Sequence, residues 1–199
     1  MAYSDFSLRK VKEQFELTLV EGVCFLPEIT PLMPSTPYLQ DVLQESLPLA
    51  ISMGSEKARS ELLISPVLFE LRRLLDRKIS FFSGEEFIVD QTAGLNGTCD
   101  FLLSRSPEQL IMEAPVMVIV EAKKDSIKGG WGQCIAEMVA AQRFNEAGSQ
   151  SIDTIYGTVT TGNIWTFLKL EDKQATIDLN DYLLLPVERL LGILAWMMQ

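Results

Sequence analysis

Residues 116–125 read VMVIVEAKKD: an unbroken apolar run, Val116 to Val120, that ends in a carboxylate, an alanine and an ammonium at Glu121, Ala122 and Lys123. An uninterrupted run of this kind suits a strand covered on both faces, as the central strands of mixed or parallel sheets are. Along a strand, residues i and i+2 share a face, so Glu121 and Lys123 point the same way while Ala122 points into packing. The polar pair at the end of this buried strand is a single candidate site.

Working outward, the chain alternates strands with helices, which predicts an α/β fold with a central mixed sheet flanked by helices. Upstream, Ile79 to Val89 reads as a strand, Gly94, Asn96 and Gly97 as a turn, and Thr98 to Leu103 as a second strand with Asp100 inside it. Before them Ser55 caps a helix from Glu56 to Asp76, whose apolar stripe is Leu63, Val67, Leu71 and Leu74, with a kink expected at Pro66. Downstream, Gly129 and Gly130 break the chain ahead of a helix from Trp131 to Phe144, where Trp131, Ile135 and Met138 make a core stripe. Thr154 to Thr160 and Ile164 to Leu170 then form a hairpin. Pro186 to Met198 is a helix apolar on most sides, so it is either buried or the contact of a homodimer.

Residues 1–53 read as an N-terminal extension to a domain spanning 54–199. Ser7 to Leu19 is a short amphipathic helix, Val23 to Met33 is extended and broken by prolines, and Thr36 to Leu47 is a helix entered through Pro37.

Composition bounds the chemistry. Of 199 residues 47% are hydrophobic, enough to bury a sizeable core. No apolar run approaches the roughly 20 residues needed to cross a bilayer, and the N-terminus lacks a basic-then-apolar leader pattern. The expectation is a cytoplasmic protein without a membrane partner, its three scattered cysteines reduced. Histidine is absent, which excludes histidine acid–base catalysis, His-based triads and the usual mixed His/Cys zinc sites. The net charge of −10 counts against a strong nucleic-acid binder, although basic residues cluster at Lys57/Arg59, at Arg72, Arg73, Arg77 and Lys78, and at Lys123, Lys124 and Lys128.

Carboxylates, amines or cysteines remain to carry any reaction. If the register allows, Asp100 lies beside Glu121, and two converging carboxylates repel unless a cation neutralises them. Oxygen-only ligands, with the Ala122 carbonyl as a third, select a hard ion such as Mg2+, for which Mn2+ can substitute. A bound water would become a better nucleophile there, and Lys123 would steady it or the charge growing on a phosphate. On its own, Glu-x-Lys is trivial: Glu171-Asp172-Lys173 fits it too, without a partner acid on a neighbouring strand. Glu121 and Lys123 read alone as a solvated strand end with a weak ion pair. Glu56, on the same helical face as Leu63, is either an N-terminal dipole partner or a site residue, while Glu61 lies on a flank and remains an alternative.

The order of these motifs resembles the restriction-endonuclease-like superfamily, the PD-(D/E)xK nucleases, over residues 55–170. Ser-Glu-Lys-Ala-Arg at 55–59 ahead of LLISPVL is similar to the acidic first-helix motif of type I restriction-enzyme-like members. Asp100 matches the lone acid, Glu121 and Lys123 the name-giving pair, Gln133 the glutamine of the following helix, and YGTVTTGNIWTFLKL at 156–170 the final strand pair. Cys99 departs from the pattern, standing where a proline is expected before the acid. The resemblance implies an αβββαβ core, divalent magnesium, and hydrolysis of nucleic-acid phosphodiesters, DNA more than RNA, with Gln133 positioning Lys123 or a phosphate. The alternative is a silent nuclease-fold domain serving as an interaction or regulatory module.

Overall fold

A computed structural model describes residues 1–27, 33–150 and 152–199. The helices are α1 (Leu8–Gln14), α2 (Pro37–Met53), α3 (Glu56–Arg59), α4 (Ser65–Leu74), α5 (Ile127–Ala147) and α6 (Val187–Met197). The strands are β1 (Thr18–Glu21), β2 (Ser80–Glu86), β3 (Thr98–Ser104), β4 (Val116–Ala122), β5 (Thr154–Thr160), β6 (Ile164–Glu171), β7 (Gln174–Ile177) and β8 (Tyr182–Leu183). They form one eight-stranded mixed sheet in the order β1-β7-β6-β5-β4-β3-β2, with β8 added to β6. The pairs β4–β5 and β1–β7 are parallel and the others antiparallel.

Strand β4 is buried along its whole length, as its composition predicts. Val118 and Val120 enter a core under α2, α4 and α6, with Leu43, Leu63, Val67, Leu71 and Leu194. Ile119 enters a second core under α1 and α5, with Val11, Ile135 and Met138. Covering both faces gives roughly 1.5–3 kcal/mol per large aliphatic side chain, an upper bound against an extended unfolded chain.

The helix expected over Glu56 to Asp76 runs as α3, a π-turn at Ser60–Ile64 and α4. Pro66 has no N–H to donate, and the π-turn just before it, closed by Ser65 N–H on Ser60 O, absorbs the irregularity where a kink was expected. Helix α5 starts at Ile127, earlier than the sequence suggests, because Ser126 caps it by accepting from Gly129 N at 3.2 Å. Gly129 and Gly130 are therefore inside the helix. A Cβ on Gly130 would come within 2.7 Å of Val159 Cγ1 and 3.2 Å of Lys123 Cε, so the absent side chain is what lets α5 approach β5 and the lysine stem.

The N-terminal region departs most from expectation. The helix foreseen over Ser7 to Leu19 ends at Gln14, Glu16 turns at φ 54°, and Thr18–Glu21 becomes β1, an edge strand on β7. Tyr3, Phe6 and Val11 are buried in the α5-side core, so residues 1–21 are built into the same body as the rest. Helix α2 continues to Met53, beyond the expected Leu47, and ends at Gly54 with φ 62°. Part of the expected extended run Val23 to Met33 lies outside the described residues. The apolarity of α6 is taken up within the chain: Leu190, Leu191, Ile193 and Leu194 are all buried, the first of the two outcomes its composition allows. Among the described residues no helix is long and apolar enough to cross a membrane.

Candidate active site

The β3–β4 ladder has Phe101↔Val120 as its last pair. Beyond it the strands are joined by a side chain: Ala122 N donates to Asp100 Oδ2 at 2.8 Å. This bond fixes Asp100 at the end of β4, next to Glu121. Lys123 N continues the pairing on the other side by donating to Thr160 O at 2.8 Å. The chain just beyond the strand is thus held from both flanks.

Glu121 is fully buried. Its Oε1 accepts from Lys123 Nζ, while Oε2 has no hydrogen-bond partner. The shared face expected from strand geometry is realised as this direct ion pair. Lys123 Nζ also lies 3.5 Å from Gln133 Oε1, on α5. Gln133 Nε2 in turn donates to Glu137 Oε1 at 3.1 Å, and Glu137 is fully buried. Glu137 is thus a buried partner of Gln133 and not a solvated helix acid.

The two helix acids separate cleanly. Glu56 Oε2 accepts from Lys124 N at 3.1 Å, tying the start of α3 to the end of β4. Glu61 instead pairs with Lys57 at 2.8 Å on the exposed helix surface. Both line a cleft of about 280 Å³ with Ser60, Ser83, Asp100 and Ala122, but only Glu56 acts electrostatically on Asp100, Glu121 and Lys123. A larger cleft, about 420 Å³, opens beside Met117 at the opposite end of β4 and shares none of these residues.

Titration behaviour follows from this crowding. Burial raises the Asp100 carboxyl above its ordinary value, opposed by the Ala122 N–H and by Lys123 and reinforced by Glu56. Glu121 is pushed up to about 8 by burial and then by Asp100, against the pull of Lys123. Burial lowers the affinity of Lys123 for its proton, yet the carboxylates Glu121, Glu56 and Asp100 together outweigh it and hold the ammonium above its ordinary value. Buried like charges with one cation between them bind protons, or a further cation, more readily than solvated ones.

Sequence reasoning assigned Arg59 no role of its own, naming it only in a basic cluster and as the last residue of the 55–59 stretch. Its Nη1 donates to Thr161 O at 2.8 Å and to Asn163 Oδ1 at 3.0 Å, clamping α3, and with it Glu56, to the β5–β6 turn. The signal was present in the sequence: Arg59 is three residues after Glu56, within the same motif. The second Glu-x-Lys, at residues 171–173, lies at the β6–β7 turn, where Lys173 pairs with Glu16 at 2.6 Å on the surface. Several of the clustered basic residues are also engaged by acids, Arg73 with Glu70 at 3.0 Å and Lys57 with Glu61.

Among the described residues no group of three or more His, Cys, Asp or Glu side chains stands arranged to hold a metal. The candidate donor set is two carboxylates and a backbone carbonyl: Asp100, Glu121 and Ala122. The chain matches no protein-family model and has no significant relative among curated proteins.

Proposed function

We propose that this chain is a metal-dependent nuclease with a restriction-endonuclease-like core, hydrolysing phosphodiester bonds of nucleic acid, DNA in preference to RNA. The observation that carries the reading is the convergence of Asp100, Glu121, Lys123 and Glu56 at the end of one buried strand, with a buried carboxylate oxygen of Glu121 left unpartnered. The likeness rests on the order of these motifs along the chain and on the succession helix, three antiparallel strands, helix, parallel strand.

The residues fit a hard divalent cation. An unpartnered oxygen on Glu121, an Asp100 carboxyl raised by burial, and acceptors that are all oxygen are what Mg2+ or Mn2+ would satisfy, with Asp100, Glu121 and the Ala122 carbonyl as its protein ligands. Such an ion supplies charge neutralisation and a more acidic water. The chain's own residues supply the rest. Lys123, held as an ammonium, places a positive charge where a phosphate oxygen would gain negative charge, and it orients the water rather than deprotonating it. Gln133 limits where that ammonium can swing. Glu56, anchored on the Lys124 amide, offers its other oxygen to the site.

The net charge of −10 favours a second reading, a nuclease-fold domain without catalysis that serves as an interaction module. The two separate in one assay: plasmid and single-stranded DNA are incubated with Mg2+ or Mn2+, using wild type, Lys123→Ala and Glu121→Gln. Under the first reading cutting requires the metal and both variants lose at least about a hundredfold, the usual scale for removing a charge that stabilises a transition state. Metal-dependent cutting that survives in Lys123→Ala would remove Lys123 from the mechanism, and its absence from wild type would leave the second reading.

A further inference from the structure

Glu137 lies one helical turn beyond Gln133 on α5, fully buried, with one oxygen bonded by the Gln133 amide and the other, Oε2, without a partner. A buried carboxyl that is half satisfied costs the fold stability. Its place is better explained by what it does to its neighbour. The side-chain amide of glutamine has two unlike ends, a carbonyl that accepts and an NH2 that donates. The Lys123 ammonium has only donors, so it is held by Gln133 only when the carbonyl end faces it. That orientation requires an acceptor at the other end of the amide. Glu137 Oε1 is that acceptor, at 3.1 Å from Gln133 Nε2, while Gln133 Oε1 lies 3.5 Å from Lys123 Nζ.

We propose that Glu137 is a positioning residue, which locks the Gln133 amide so that its carbonyl oxygen, and not its NH2 group, faces the ammonium of Lys123. The inference rests on the reading of Lys123 as the cation of a phosphodiester-cleaving site. Without Glu137 nothing holds the NH2 end of the amide, so the carbonyl no longer stays fixed toward the ammonium, and Lys123 keeps only the Glu121 bond whenever the amide turns away.

The test compares full-length wild type, Glu137→Gln and Glu137→Met, with Gln133→Met to identify the Gln133 side-chain amide resonances in 1H–15N spectra. Glu137→Gln keeps an acceptor in place, so it should retain those resonances and a kcat within about twofold of wild type, since the hydrogen bond survives. Glu137→Met keeps the shape and removes the acceptor. It should move the Gln133 resonances toward those of a freely rotating amide and lower kcat about tenfold with KM little changed, the effect of losing one hydrogen bond's positioning. Its melting temperature should be no lower than that of wild type, because the substitution removes a buried carboxyl. A purely structural residue would behave in the opposite way, losing stability and activity together, and that result overturns the proposal. So does Glu137→Gln proving as damaging as Glu137→Met, or unchanged Gln133 resonances in Glu137→Met. Should wild type itself not cleave, the nuclease reading fails, while the resonances still decide whether Glu137 sets the amide.

Discussion

Glu121 on β4 and Glu137 on α5 are both fully buried, and Glu121 makes Glu137 harder to ionise. Burial is the largest cause in both, and Lys123, the nearest cation, opposes it in both. Two buried carboxyls therefore draw on a single ammonium, which cannot neutralise both. The protein carries this imbalance at the end of its most buried strand, where packing would favour apolar side chains. Such an arrangement is destabilising in itself, which is why it points to function rather than to stability.

The imbalance predicts how stability changes with pH. An unfolded glutamate titrates near about 4.3, whereas Glu121 in the folded protein is pushed up to about 8. The folded state therefore holds a proton that the unfolded chain releases. Its stabilising contribution is complete below the unfolded value and is lost as pH rises through the folded one. Glu121→Gln removes this titration while keeping the shape. Its unfolding free energy relative to wild type should grow as pH rises across that window, by at most about 1.4 kcal/mol per pH unit. Urea denaturation of the metal-free proteins from about pH 5 to about pH 9 measures it, and a difference that stays flat would mean that Glu121 titrates normally.

A divalent cation should relieve the same strain from the opposite direction. A ligand that binds only the folded state stabilises it by about 2.7 kcal/mol at a hundred times its Kd. Mg2+ or Mn2+ should therefore raise the melting temperature of wild type more at pH 8 than at pH 5, where protons compete for the carboxyls. Asp100→Asn keeps an oxygen to accept from Ala122 N but loses the charge, so it should fold and lose most of the metal-induced shift. Calorimetric titration checks the binding directly; an equal heat in wild type and Asp100→Asn would remove Asp100 from the ligand set.

Much of this was legible in the sequence because it is local. The VMVIV run marks β4 as buried on both faces, and period two then places Glu121 and Lys123 together. The hairpin β5–β6 and the stripe Leu63, Val67, Leu71 follow from spacing alone. The failures are non-local. Strand β1 is only four residues long and is specified by its partner β7 rather than by its own pattern, so it read as the tail of a helix. The glycines before Trp131 read as a break because nothing in the sequence shows that Val159 and Lys123 press against that turn. Burial of Glu137 was equally hidden, since an acid at helical spacing usually faces solvent.

Arg59 offers a test of how the helix acid is placed. Its two bonds, to Thr161 O and Asn163 Oδ1, span the gap between α3 and the β5–β6 turn. Both bonds come from one nitrogen, Nη1, which the shorter stem of Arg59→Lys places differently, and Arg59→Ala removes both bonds. Losing a charged hydrogen bond to partly buried partners costs about 1.5–3 kcal/mol. Both variants should unfold at lower urea, Arg59→Ala more so, and both should weaken metal-dependent cutting further than their stability loss explains, because Glu56 shifts with the helix. Cutting at the wild-type rate by well-folded Arg59→Ala would show that Glu56 is placed by Ser55 and Lys124 alone.

The N-terminal segment crosses α5 at the residue before Gln133. A Cβ on Gly132 would fall 2.4 Å from the carbonyl carbon of Ser7, 2.5 Å from Phe6 O and 2.6 Å from Leu8 N. All three are backbone atoms, so no rotamer change can make room, unlike the flexible contacts around Gly94. The segment is held there by burial of Tyr3, Phe6 and Val11 and by Tyr3 OH donating to Phe87 O at 2.9 Å. Gly132→Ala must either push α5 off the sheet or lift residues 6–8 away. The second is easier, because the segment is an end of the sheet's outer layer while α5 packs along β4 and β5. Overpacking of this kind costs about 1–3 kcal/mol and sometimes more. The expected result is a lower melting temperature together with early proteolytic cleavage between residues 1 and 21, and a smaller loss of activity than of stability, since Gln133 stays on its helix. Protection of the N-terminal segment at the wild-type level in a folded Gly132→Ala would show that this crossing is not the close contact described.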